Sequence, residues 1–144
     1  MYDSNQSIDR LLDQVRSSDN DRIIRWMINE SEHPIRRLRM QHPSMSLPRD
    51  LKRMAVLYCN GRMSDENFSS TLYDIDKYAK AMSGIDRAGE SLMLALFHFA
   101  SSMKSRPHPI GYIRCYIKAL RLMGMSEKAI SKEADRMREN LRVR

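Results

Sequence analysis

Apolar side chains recur every three or four residues along most of this 144-residue chain, which is the spacing of an amphipathic helix. Only five Gly and five Pro are present, and aromatic residues make up 7% of the chain. This composition favours helices over a strand-and-turn architecture. We therefore predict an all-α protein. The amphipathic stretches span residues 8–15, 23–28, 51–58, 68–82, 113–120 and 130–141.

One further stretch, Glu90–Met103, is apolar on nearly every side. A helix of that kind packs in the middle of a protein, with other helices around it. Gly84 and Gly124 each follow an amphipathic stretch and are predicted to end a helix, while Ser64 and Ser126 are placed to cap the start of one. We predict a single compact domain of about six or seven helices, with a central apolar helix at about residues 90–103.

The segment His42–Pro48, HPSMSLP, holds two prolines and is the best candidate for a linker. It would separate an N-terminal helical arm, residues 1–42, from a helical core, residues 48–144; the alternative is that the whole chain is one domain. The arm carries the apolar stripe at residues 23–28, with Trp26 beside it. Such a stripe is rarely left in water, so it must pack on the core, on a partner, or on a second copy in a homodimer through the N-terminal helices.

The net charge of +7 is concentrated in two parts of the chain. Residues 31–62 hold seven basic and two acidic side chains, and residues 104–144 hold eleven and four. Two basic blocks indicate a surface for a polyanion, whereas a dispersed excess would indicate little beyond solubility. The alternative is a solvated basic face without a partner.

The C-terminal hairpin around Gly124 matches part of the helix-turn-helix pattern, in which a tight turn joins two helices that cross at about 90–120°. Ile130 stands where a branched apolar residue pins the second helix to the first. Two positions fit poorly, because Leu120 replaces a small residue and Glu133 replaces an apolar one. The turn is therefore either part of a DNA-reading hairpin or an ordinary helix boundary.

The ordinary boundary has support of its own. The segments MSDENFS, Met63–Ser69, and MSEKAIS, Met125–Ser131, share a Met, a Ser, an acidic residue and a bulky apolar residue at matching positions. In both, the Ser is a predicted N-cap and the Met can pack on the apolar residue as a hydrophobic staple. Helix capping alone therefore explains much of the turn motif.

Charge separates the two segments. The helix after Ser64 is acidic at its start, whereas the helix after Ser126 is predicted to expose basic residues, including Arg142 and Arg144, that can donate to phosphates and base edges. We single out two groups as nucleic-acid contacts, one in the hairpin and one in the first basic block. They are Lys118, Arg121, Lys128, Lys132, Arg136 and Arg138, together with Arg36, Arg37 and Arg39.

Enzymatic chemistry has little support, because the chain holds no GxSxG, no glycine-rich phosphate loop and no HExxH. Cys59 and Cys115 do not form a CxxC pair, and the four histidines lack metal-ligand spacing, so neither a metal nor a cofactor is expected. No apolar run approaches the roughly 20 residues that a membrane span needs. The N-terminal residues do not resemble a secretion signal, so we expect a cytoplasmic protein without a membrane partner.

The leading hypothesis is a small regulatory protein of transcription or replication that binds nucleic acid, DNA in the first instance. Its C-terminal hairpin and the basic segment of residues 34–53 would contact the phosphates. The alternative hypothesis is a helical adaptor that docks on a larger protein of the replication or transcription machinery. The chain holds 12 methionines, which suit surfaces that adapt to a partner. The adaptor's contacts would come from the Met-rich faces and the N-terminal helices.

Overall fold

The structure, a computed structural model, describes residues 5–142 of the chain. Within that range it contains α-helices and no strand, so the all-α prediction is confirmed. In chain order the helices are α1 (Gln6–Arg16), α2 (Asn20–Glu30), α3 (Glu32–Gln41), α4 (Ser46–Cys59), α5 (Asp65–Met82), α6 (Arg87–Lys104), α7 (Pro109–Leu122) and α8 (Glu127–Arg142).

The helices α2 and α3 meet at a single residue. Ser31 ends α2 and also begins α3, so the two helices form one bent pair. Counted separately they bring the described chain to eight helices, where about six or seven were predicted. None of these helices is both long enough and apolar enough to cross a membrane.

The helix α6 lies at the centre of the fold, which confirms the predicted central apolar helix. Its most extensive contact is with α7, the next is with α5, and α2, α3 and α4 touch it as well. Because other helices cover α6 on several sides, it needs apolar side chains around most of its circumference and not only along one face. Its fully buried apolar side chains are Leu92, Met93, Ala95, Leu96, Phe99 and Ala100.

The helix starts predicted at Ser64 and Ser126 are confirmed by their capping hydrogen bonds. The Ser64 hydroxyl accepts from the backbone N–H of Asn67 at 3.1 Å, and the Ser126 hydroxyl accepts from that of Ala129 at the same distance. Each bond satisfies a backbone donor that has no acceptor inside its helix. The two caps fix where α5 and α8 begin.

The N-terminal helices α1 and α2 pack against α8, the last helix of the chain. Trp26 and Met27 are fully buried, and the indole N–H of Trp26 donates to the backbone carbonyl of Met137 at 2.9 Å. The apolar stripe of the arm is therefore covered by its own chain. A homodimer through these helices stays a prediction, and so does the division into residues 1–42 and 48–144.

Candidate nucleic-acid interface

The turn between α7 and α8 is a tight glycine-containing connection. Gly124 has a φ of +85°, a conformation that L side chains rarely adopt. The backbone N–H of Met125 donates to the carbonyl of Leu120 at 3.1 Å, which closes the end of α7. Ile130, the residue expected to pin the second helix, is fully buried. The conformation of the turn and the burial of Ile130 thus suit both a helix-turn-helix hairpin and an ordinary helix boundary.

Glu133, one of the two residues that fit the motif poorly, has a structural role. Its side chain is 13% exposed and accepts hydrogen bonds from the Tyr116 hydroxyl at 2.7 Å and from Arg136 Nε at 2.5 Å. Burial acts to raise the pKa of Glu133, but the hydrogen bonds from Arg136 and Tyr116 outweigh it, so that the pKa is lowered. Glu133 is therefore an ionised acid that joins α8 to α7.

Arg136 is half-buried and pairs with a buried acid, which corrects its predicted exposure. Its guanidinium makes two parallel hydrogen bonds, of 2.9 and 3.0 Å, to the carboxylate of Glu30, which is only 1% exposed. Asn140 donates to the same carboxylate at 2.9 Å. A buried carboxylate requires such partners, because an unpaired charge in the interior is very costly. Arg136 is thus committed to the core of the protein.

The same buried network extends to α3 through Tyr116. Arg37 Nε donates to the Tyr116 hydroxyl at 3.3 Å, so Arg37 is also engaged within the chain. Tyr112, one turn earlier on α7, is fully buried, and its hydroxyl has no hydrogen-bond partner among the described residues. Burial, and then the negative charge of Glu30, raise the pKa of Tyr112 well above its ordinary value.

The remaining basic residues of α8 differ in their surroundings. Lys128 and Lys132 are exposed, and neither has a hydrogen-bond or ion-pair partner within residues 5–142. Arg138 is half-buried, and its buried Nε lacks a partner in the described chain. Arg142 is exposed and pairs with Glu139 at 3.4 Å, while Arg144 lies outside the described residues. On α8, only the two lysines present uncommitted charges to solvent in the way that was predicted.

A groove of about 500 Å³ between α3 and α4, called here the α3–α4 groove, holds a second group of predicted residues. Arg36 and Arg39 of α3 line it together with Arg49 and Lys52 of α4, and Glu32 is the one acidic residue in the lining. Lys52 pairs with Glu32, and Arg49 pairs with the neighbouring Asp50 at 3.2 Å. No such partner is found for Arg36 or Arg39 among the residues that the structure describes.

Another groove, of about 380 Å³, lies between α1 and α7 and is called the α1–α7 groove. Lys118 and Arg121, two of the predicted contacts, line it together with Arg114. Arg121 makes two hydrogen bonds to Glu127, of 2.8 and 3.0 Å, across the turn between α7 and α8. These residues therefore form a surface distinct from the α3–α4 groove.

The nine predicted contacts do not form one site. Arg36 and Arg39 share the α3–α4 groove, Lys118 and Arg121 share the α1–α7 groove, and the others lie on α8 or in the buried network. Sequence reasoning did not single out Arg49 and Lys52. Arg49 and Lys52 are three residues apart, as are Arg36 and Arg39. The two pairs lie on α3 and α4, and a short connection between two helices makes the helices neighbours. This repeated spacing could have indicated from the sequence that the four side chains lie near one another.

Within residues 5–142, no three His, Cys, Asp or Glu side chains cluster in a way that could hold a metal ion. No protein-family model matches the chain, and neither the curated proteins nor the solved structures include a match to it.

Proposed function

We propose that this protein is a small cytoplasmic regulator of transcription or replication that binds nucleic acid by its phosphates. The α3–α4 groove is the centre of the binding surface, and Lys128 and Lys132 of α8 add contacts to it. The role of the C-terminal hairpin is thereby reduced from the reading of bases to the support of phosphate binding.

The observation that carries this proposal is the pair of uncommitted guanidinium groups, Arg36 and Arg39, in a groove that also holds Arg49 and Lys52. A guanidinium can donate two parallel hydrogen bonds to a phosphate, and each neutralised phosphate releases bound counterions. The three apolar residues in the lining leave the basic side chains as its dominant polar groups. Electrostatics therefore favours an anionic ligand over a neutral one.

The helices α3 and α8 are joined by hydrogen bonds through α7, because the Tyr116 hydroxyl accepts from Arg37 Nε and donates to Glu133. Burial lowers the pKa of His33, and the positive charges of Arg136 and Arg36 lower it further, against the nearby acids Glu30 and Glu133. The helix α3, which carries Arg36 and Arg39, is thus connected to the inner face of α8 through the interior of the protein.

The test is a titration of the full chain with duplex DNA and with RNA at two salt concentrations. We expect the double variant Arg36→Ala/Arg39→Ala to bind more weakly. The fall of log K with log salt should become less steep by about two units, one for each lost phosphate contact. Arg62→Ala is the control, because Arg62 is exposed and lies beyond the far end of α4. It should leave the slope nearly unchanged. Failure of the parent protein to bind either nucleic acid at low salt would refute the proposal.

The same titration decides what the hairpin does. Lys128 and Lys132 are exposed, so their replacement by Ala should change stability by no more than about 0.5 kcal/mol. If α8 contributes phosphate contacts, the double variant should also weaken binding and reduce the salt slope. If the double variant Lys128→Ala/Lys132→Ala binds like Arg62→Ala, the turn at Gly124 is a helix boundary. The α3–α4 groove then binds nucleic acid without help from α8.

A further inference from the structure

The α1–α7 groove differs in chemistry from the α3–α4 groove. Its floor is aliphatic and is formed by Ile8 and Leu12 of α1 and by Ile113 and Ile117 of α7. Ile8 is only partly covered by the rest of the protein, whereas Leu12, Ile113 and Ile117 are buried. The groove thus offers a ligand a small aliphatic patch centred on Ile8, which a phosphate backbone could not use.

One edge of this groove is a row of basic residues on α7. Arg114, Lys118 and Arg121 are spaced four and three residues apart, so they follow one face of the helix over about 10 Å. Arg114 and Lys118 are exposed, and no hydrogen-bond or ion-pair partner is found for them within residues 5–142. Asp9 is the one acid among the lining residues, which leaves the rim with an excess of positive charge.

We propose that the α1–α7 groove binds an acidic amphipathic helix of a partner protein. The apolar face of that helix lies over the aliphatic patch at Ile8, and its acidic residues, spaced by three or four positions, pair with Arg114 and Lys118. An amphipathic acidic helix matches both properties of the groove, whereas nucleic acid matches only the charge. This inference does not depend on nucleic-acid binding, because the groove shares no lining residue with the α3–α4 groove.

The probe is a synthetic helical peptide with Leu at positions i, i+3, i+4 and i+7 and with Glu on its polar flank. The full-length protein, labelled with ¹⁵N, is titrated with it and followed by amide chemical shifts. We expect the shift changes to cluster at residues 8–12 and 113–121. A peptide with the same Leu positions and Lys in place of each Glu is the control, and we expect it to cause no such changes.

Two double variants make the test specific. Arg114→Glu/Lys118→Glu reverses the rim charges and should weaken binding of the acidic peptide at least about tenfold, since like charges then face one another. Arg36→Glu/Arg39→Glu changes the net charge by the same amount but leaves the α1–α7 groove intact, so it should bind like the parent. All four residues are exposed, so both variants should fold, which the dispersion of the amide spectrum checks.

Several results would overturn the inference. These are the absence of shift changes with the acidic peptide, equal binding of the lysine peptide, and shift changes centred on residues 35–52. A duplex DNA that perturbs residues 8–12 and 113–121 and displaces the peptide would instead make this groove part of the nucleic-acid surface. The DNA titration of the Arg36→Ala/Arg39→Ala variant is a separate measurement, so either proposal can fail while the other stands.

Discussion

Three N–H donors from α8 converge on the carboxylate of Glu30, a side chain that is almost fully shielded from water. Two of them belong to Arg136 and one to Asn140. The desolvation of such a pair offsets much of its attraction, so the intact pair is weak evidence for stability. Removal of one partner alone destabilises the fold, because the charge of the other partner then lacks its main compensation.

We expect Glu30→Gln to reduce the free energy of unfolding by about 3 kcal/mol, the low end of the range for a broken buried pair. The low end applies because Arg136 is 31% exposed and retains Glu133 as a partner. Glu139→Gln is the matched control, because it breaks the exposed pair with Arg142 and should cost no more than about 1 kcal/mol. Urea denaturation measures the free energy of unfolding of both variants. Equal losses would show that the buried ion pair contributes no more to stability than the exposed one.

The sequence could not have shown that Arg136 faces inward while Lys132 faces outward. Both are long basic side chains on a helix with mixed charges, and what distinguishes them is Glu30, 106 positions away in the chain. Arg37 depends in the same way on Tyr116, 79 positions away. Local spacing defines the face of a helix, but it does not reveal which distant acid the fold brings to that face. The candidate site was therefore predictable as two basic blocks, and not as individual residues.

At the scale of the elements, the sequence predicted the helices well because their ends follow local chemistry. Ser64 and Ser126 accept the expected capping bonds, and Gly124 takes the left-handed conformation expected where a helix ends. The candidate linker was predicted to extend to Pro48, but α4 already begins at Ser46. A proline is tolerated at the third helical position because the first four N–H groups of a helix have no acceptor within it.

Gly111 of α7 lies against His98 of α6, at the most extensive helix contact in the fold. A Cβ at this position would lie 2.7 Å from the Cε1 and Nδ1 atoms of His98. We expect Gly111→Ala to lower the free energy of unfolding by about 1–2 kcal/mol, since a steric cost of about 1–3 kcal/mol exceeds the gain in helix propensity of roughly 0.5–1 kcal/mol.

The cause of that loss can be checked with a double-mutant cycle. His98→Ala removes the ring that the new methyl group would meet, so Gly111→Ala in that background should be neutral or stabilising. Thermal or urea denaturation of the four proteins gives the coupling energy. Additive effects of the two substitutions would mean that the loss does not arise from the contact between α6 and α7.

At the scale of the whole molecule, the open question is whether the first three helices are an arm or a part of the core. Two observations bear on it. The indole of Trp26 packs edge-on against Tyr112, with ring centroids 6.2 Å apart, and it donates to the carbonyl of Met137. Leu38 of α3 is likewise fully buried. The N-terminal helices thus supply large side chains to the interior that α6, α7 and α8 share.

We therefore expect a fragment of residues 48–144 not to unfold cooperatively. Without α1–α3, the apolar face of α8 would meet water and Arg136 would lose the carboxylate of Glu30, and either loss is a large part of the marginal stability of a domain. Thermal unfolding followed by circular dichroism compares this fragment with residues 5–142, which retain every contact described above and should melt in a single transition. A cooperative transition of the shorter fragment would instead establish residues 48–144 as an independent core. The contacts of Trp26 would then be those of an arm that packs on a domain able to fold without it.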